Sequence, residues 1–350
     1  MIRRLQTLRF VAAAAVLVGH SLMELAQHNI GRNMLAALGS LPWGMGVDIF
    51  FVISGFIIAH ASLELPSAPG VTSKFILNRF IRVWPPYAFF TALMLIAVLA
   101  VPSFLKHARL DVEHIAASFA FLPWPRPDDG RYYPLLGQGW TLNYEMFFYL
   151  SFALTLLLPP RWRAALLCCA GGILVAAGQM WHLPQPLAFY SHPVIAEFIY
   201  GVLLSLVFRR VSDQPLWGGG LIALALLYIA LVPIDTEVPS RALFAGLPAA
   251  MIVGGVLLLG SVGERMMGGS LPVLLGNASY ALYLCHTFVV NAVLWIMLRL
   301  FNPPPPALFM IVTFISATAA SVIFYRLFEQ PCLRLLKVRI STRRTRAVAA

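Results

Sequence analysis

Long apolar runs separated by short polar breaks dominate this chain. Ten of them are long enough, at about 20 residues each, to cross a bilayer: 8–26, 44–62, 84–102, 141–158, 164–181, 192–208, 217–233, 243–261, 279–300 and 308–328. A lipid-exposed backbone must satisfy its own hydrogen bonds, so the pattern predicts helices. The expected fold class is therefore all-α: a polytopic membrane protein of about ten transmembrane helices. Gly and Pro blur the ends of the fifth to seventh stretches. The longest non-spanning segment, about 103–140, ends in the polar, Pro/Gly-rich PWPRPDDGRYYPLLGQG. Residues 1–333 read as one transmembrane domain, followed by a basic tail, 334–350, that reads as disordered or lipid-associated. No internal repeat is evident, which counts against many transporter architectures.

Composition agrees with this reading. Of the 350 residues, 60% are hydrophobic and 11% charged, against about 25% charged in soluble domains, and the mean hydropathy is +0.81. With both termini inside, 17 of the 25 Lys and Arg fall on the inner side, as positive-inside bias requires. Seven fall outside (Arg32, Lys106, Arg109, Arg126, Arg131, Arg241 and Arg299), and Arg326 lies within the last span. An even span count and this bias predict an N-in, C-in protein. The net charge of +11 then reflects topology and anionic-lipid contact rather than nucleic-acid binding. Basic residues before an Ala-rich core imitate a signal peptide, but further spans follow and the segment carries His20 and Glu24. Cys168, Cys169, Cys285 and Cys332 show neither metal-ligand spacing nor a disulfide framework, and read as core filling.

Ionisable side chains inside the apolar runs are the candidates for chemistry, because each is costly at bilayer depth unless it faces a protected interior. Arg9 and His20 are eleven positions apart in LRFVAAAAVLVGHSLMELA, hence on one helix face and roughly 16 Å apart along the axis. In WGMGVDIFFVISGFIIAH, Gly44, Gly46, Gly55 and Ser54 permit close helix approach. Asp48 there reads equally well as an interfacial carboxylate. Arg79 and Arg82, in FILNRFIRVWPPY, are neighbours on a helix face just before Trp84 and Pro85 open the third span. Positive-inside anchoring accounts for them, and so does a fork-shaped phosphate clamp. In WTLNYEMFFYL, Glu145 sits among apolar residues with Thr141 one turn earlier; it needs a partner, and His20 is the obvious titratable one. Such a pair could deprotonate a hydroxyl, or Glu145 could neutralise a buried Arg. Ser279, Tyr283 and His286 form a polar stripe on one face of the ninth span, explicable as hydrogen-bonded packing. Arg326 and Glu329 are placed to pair locally. Trp124, Tyr132 and Tyr133 could stack on sugar faces, although an interfacial aromatic belt explains them more simply. No Walker loop, GxSxG or HExxH motif occurs, and no metal is expected.

Taken in order, these segments resemble the acyltransferase-3 family of bacterial membrane acyltransferases, from about residue 5 to 331. LRFVAAAAVLVGH is similar to its signature of a basic residue, ten intervening residues and a histidine. GVDIFFVISGFII (46–58) is similar to its second-helix signature, and RFIRVWP (79–85) to its RxxR motif with following proline. WTLNYEMFFY (140–149) resembles its Trp-(Ser/Thr)-Leu-x-x-Glu motif, while SYALYLCH (279–286) and FYRLFEQP (324–331) resemble its late motifs. Departures are mild: Thr141 stands where Ser is frequent, and Tyr144–Glu145–Met146 replaces a common double glutamate.

The resemblance implies ten core helices and transfer of an acyl group, usually acetyl, from cytoplasmic acyl-CoA to a hydroxyl of a surface glycan or small molecule. It implies that His20 is the catalytic histidine, that Arg9, Arg79 and Arg82 bind the donor, and that Glu145 supports the reaction. Some members carry an additional periplasmic hydrolase-like domain. This chain resembles the short members that decorate exopolysaccharide or lipid-linked oligosaccharide. The competing expectation from the residues alone is a transporter or flippase for a lipid-linked sugar, with buried His, Glu and Arg as its relay.

Overall fold

The computed structural model describes residues 2–100, 111–211, 213–234 and 240–337. Every regular element among them is helical. In order these are α1 (Arg3–Gln27), α2 (Arg32–Leu38), α3 (Met45–Ser62), α4 (Val71–Ala100), α5 (Val112–Phe119), α6 (Trp140–Thr155), α7 (Pro160–Met180) and α8 (Leu187–Tyr190). They continue with α9 (Ile195–Phe208), α10 (Pro215–Leu231), α11 (Leu247–Leu258), α12 (Gly260–Met267), α13 (Ser270–Asn277), α14 (Ser279–Leu300) and α15 (Pro306–Phe324). Two π turns, Ala242–Gly246 and Tyr325–Glu329, lead into α11 and out of α15.

Each of the ten apolar stretches coincides, over its described residues, largely with a helix, but the helices differ in length. Among the described residues six are long and apolar enough to cross a membrane, or seven if the segment Ala242–Met267, bent by 94°, is one broken span. The shortfall from ten is one of length: α6, α9 and α10 have 16, 14 and 17 residues, below the roughly 20 that a straight perpendicular span needs. The outward faces are strongly apolar, with Ile173, Leu216 and Leu231 all exposed. A surface of this kind needs an apolar surround, and the protein is a multi-pass membrane protein.

Three departures from the sequence expectation affect the interior. First, α4 does not start at Trp84. It begins at Val71 and runs through Pro85 and Pro86. Those prolines deprive carbonyls one turn earlier of helical donors, a defect that neighbouring helices make tolerable. The Tyr280 hydroxyl on α14 donates to Val83 O beside the gap, at 2.8 Å. Second, the loop expected over 103–140 contains α5, capped by Asp111, whose side chain accepts from Glu113 N at 3.0 Å; residues 101–110 lie outside the described ones. Third, the helix after α15 continues to Lys337, past the expected tail boundary at 334, and 338–350 lie outside the described residues.

The tightest crossing joins α3 to α9. A Cβ on Gly55 would overlap the Phe198 carbonyl oxygen, and one on Gly201 that of Val52, so only glycine lets these backbones touch. Gly46 does the same against Ala12 O of α1. The core then fills with aromatic side chains: Phe51, Phe148 and Phe198 pack between α3, α6 and α9. Of the four thiols, Cys285 alone is buried and Cys169 is exposed. The core-filling expectation thus holds for Cys285 and fails for Cys169, which the outward face of α7 carries away from the bundle.

Candidate active site

At the end of the bundle where α1 begins and α3 ends, the helices part around a vestibule of about 1180 Å³. Its wall includes Arg9 from α1, His60 from α3, Lys74, Arg79 and Arg82 from α4, and Glu329 and Lys337 from the last helix. A narrower chamber of about 80 Å³ continues inward between Ser54, Thr141, Glu145, Tyr149, Tyr280 and Tyr283. Arg9, Ile57, Arg79 and Arg82 line both, so three guanidiniums stand at the threshold. Continuing α4 back to Val71 is what puts Arg79 and Arg82 on this wall.

These cations are poorly neutralised. Arg9 meets Gln6 Oε1 at 3.3 Å. Arg79 lies over the rings of Phe75 and Tyr149, at 5.5 and 5.8 Å. Among the described residues neither Arg79 nor Arg82 has an ion-pair partner within 4.0 Å. Glu145 faces the same chamber, where its Oε1 accepts from Ser54 Oγ at 3.0 Å and from the Tyr149 hydroxyl. Glu329 is 5% exposed, and its Oε2 has no hydrogen-bond partner. The π turn carries Glu329 to the vestibule while Arg326 stays exposed. The expected local Arg326–Glu329 pair is therefore not made, because an i→i+5 turn spreads residues three apart around the axis.

His20 does not pair with Glu145. Its Nδ1 lies 3.0 Å from Val16 O and 3.3 Å from Nε2 of His286 on α14. The chamber stops short of it, at Phe50 and Tyr283, whose ring centroids are 6.0 Å apart. Tyr283 is held by Thr141 Oγ1 and Gln138 O, each at 3.0 Å. The polar stripe of α14 is therefore divided. Tyr283 closes the chamber, His286 touches His20, and Ser279 is buried with its hydroxyl unpaired.

The sequence reading missed one buried cluster entirely. Asp48, for which an interfacial carboxylate was one of two equal readings, is 0% exposed and receives a bidentate pair from Arg241, Nε and Nη2 at 2.9 and 3.0 Å. Glu197 lies 3.9 Å from the same Nε, and the Arg241 guanidinium sits 5.6 Å from the Trp140 ring. The three charges come from α3, α9 and the edge of a π turn, so no local spacing announces them. In the segment between α5 and α6, Arg126 and Arg131 cover the Tyr133 ring at 5.5 and 5.9 Å, while Trp124 stays exposed. No group of three metal-ligand side chains occurs among the described residues.

Comparison with known proteins follows the same outline. The profile of the acyltransferase domain family matches residues 2–326. The chain is 36% identical over 291 residues to the "Exopolysaccharide production protein ExoZ" of Rhizobium meliloti (strain 1021), covering 83% of this chain and 89% of that protein. It is 24% identical over 373 residues to "Nodulation protein 10" of Rhizobium leguminosarum bv. viciae, covering 94% and 92%. No solved structure matches. A profile match over nearly the whole sequence and a relative this similar leave one assignment: the chain belongs to the acyltransferase-3 family, and it is a membrane acyltransferase.

Proposed function

We propose that the protein moves an acyl group, acetyl in the simplest case, from acyl-CoA onto a hydroxyl of an exported or lipid-linked polysaccharide. The observation that carries this reading is the threshold of Arg9, Arg79 and Arg82, three guanidiniums with no ion pair within 4.0 Å among the described residues, at the mouth of a chamber that narrows into the bundle. Coenzyme A is polyanionic at one end and slender at the other. Guanidiniums offer paired donors matched to phosphate oxygens, and a chamber this narrow suits the pantetheine arm. Glu145, fixed by Ser54 and Tyr149, lines the chamber beyond the guanidiniums and offsets part of their mutual repulsion without pairing with any of them. The relative named for exopolysaccharide production supports a glycan acceptor.

In this reading ten helices cross a bacterial inner membrane with both termini inside, so the vestibule faces the cytoplasm. The arm enters from Arg9, and the ~16 Å of helix between Arg9 and His20 sets the reach it must cover. Parting of Phe50 and Tyr283 admits the thioester to His20. The imidazole takes the proton of the acceptor hydroxyl as its oxygen attacks the thioester carbonyl. The C–S bond breaks, the ester C–O bond forms, and the proton leaves with the thiolate as free CoA.

Purified protein in proteoliposomes with labelled acetyl-CoA and an oligosaccharide acceptor tests the scheme. Acceptor labelling with stoichiometric CoA release is expected, abolished by His20→Ala in a protein that still binds donor. Glycan flux without CoA release, as a flippase would give, contradicts it.

A further inference from the structure

The pair of histidines between α1 and α14 has a fixed internal logic. His286 is 1% exposed, and its Nδ1 lies 2.7 Å from the Tyr283 carbonyl oxygen. A carbonyl only accepts, so Nδ1 of His286 carries the hydrogen, and in the neutral ring Nε2 is left with a lone pair. That Nε2 faces Nδ1 of His20 at 3.3 Å. The other neighbour of this Nδ1 is Val16 O at 3.0 Å, again acceptor only. Both partners demand a donor at the same atom, so His20 carries its hydrogen on Nδ1. Its Nε2 then holds the lone pair, and that atom makes no hydrogen bond with any described residue.

We propose that His286 is a positioning residue that holds His20 in the Nδ1–H tautomer, leaving His20 Nε2 as the atom that accepts the hydroxyl proton. The inference rests on His20 being the base. Val16 O comes from the helix carrying His20 and cannot by itself fix the ring against α14. His286 approaches from across the interface, its ring centroid 4.8 Å from that of His20 at 52°. When Nε2 takes the proton, the Nδ1–H bond to His286 becomes charge-assisted and strengthens. The role parallels the carboxylate that orients the histidine of a hydrolase triad, with the difference that a neutral imidazole adds no charge to a buried site. The chain of contacts also ties the base to the donor side. Tyr283 offers its carbonyl to His286 and its ring to the chamber wall.

Two substitutions separate positioning from packing. His286→Leu fills the volume without an acceptor, whereas His286→Gln presents an amide oxygen at comparable reach. With acetyl-CoA as donor, His286→Leu should lower kcat about 10- to 100-fold with the donor KM unchanged, and His286→Gln should recover most of the loss. In ¹⁵N-histidine-labelled protein in nanodiscs, the His20 resonances, assigned by difference from His20→Gln, should report the Nδ1–H tautomer in the wild type and a smaller share of it in His286→Leu, where the Val16 carbonyl is the one acceptor left. Wild-type kcat in His286→Leu, equal losses in both variants, or an Nε2–H tautomer in the wild type would overturn the proposal. If His20→Gln itself remains active, the base assignment fails instead, and the tautomer spectra still decide the His286 contact.

Discussion

Arg163 shows how much a single buried side chain can bind together. At 0% exposure, its Nε donates to Leu158 O, Nη1 to Leu63 O and Leu65 O, and Nη2 to Ser67 Oγ and Leu156 O. A guanidinium has five N–H groups, and all are used to fasten the segment after α3 to the α6–α7 turn. Arg163→Ala should cost at least about 3 kcal/mol, since each buried carbonyl left unpaired costs about 1–3 kcal/mol. The unfolding midpoint in detergent measures this, and Arg163→Lys, with three donors, should restore only part. The Asp48–Arg241 pair allows a sharper comparison. Removing one buried partner costs about 3–5 kcal/mol, whereas replacing both by apolar residues is often mild. Arg241→Leu, which leaves Asp48 and Glu197 buried together without a cation, should therefore destabilise more than Arg241→Leu with Asp48→Leu; a larger loss in the double variant would mean the pair is worth more than its desolvation. The sequence reading announced neither contact, because a pattern along the chain sees neighbours in sequence. The partners here are 98 and 193 positions away.

At the scale of elements, the sequence was most legible where one helix carries the whole signal. The common face of Arg9 and His20, the Thr141–Glu145 turn, the small residues of α3 and the buried stripe of α14 all follow from 3.6-residue periodicity, and all are present. What escaped was anything set by non-standard backbone or by a second helix. The sequence reading opened the third span at the prolines, because a proline usually cuts a helix short. In α4 it does not, and the Arg79–Arg82 turn becomes part of a wall rather than an interface. The two π turns are invisible to residue type, yet one adjoins Arg241 and the other ends at Glu329. Such turns recur at functional sites. The α3–α9 crossing offers a test of element packing: Gly55→Leu should prevent close approach and cost about 3 kcal/mol or more. Its signature is a lowered unfolding midpoint, with donor affinity lost in proportion to unfolded protein; a wild-type midpoint would show that the crossing is not closely packed.

For the molecule as a whole, the proposed chemistry runs along a line from a basic vestibule, through a narrow chamber, to a histidine pair behind an aromatic partition. Phe50 and Tyr283 form that partition, so Phe50→Ala should enlarge the chamber and admit longer acyl donors. Competition between acetyl- and hexanoyl-CoA reads this as a specificity ratio shifted toward the longer donor; an unchanged ratio would place the limit elsewhere. Because the proposed scheme needs His20 as a neutral imidazole, the rate at saturating donor should fall on acidification, about tenfold per unit once the ring is mostly protonated. A flat acid limb in the pH–rate profile would remove His20 from the rate-determining step. The most direct test of the central claim is equilibrium binding of labelled acetyl-CoA to the intact protein in nanodiscs, wild type against Arg79→Ala with Arg82→Ala. Charge-assisted hydrogen bonds contribute about 1.5–3 kcal/mol each, so losing both guanidiniums should weaken binding about 100-fold or more. Saturable binding of equal affinity in both proteins would contradict the assignment of this threshold to the donor.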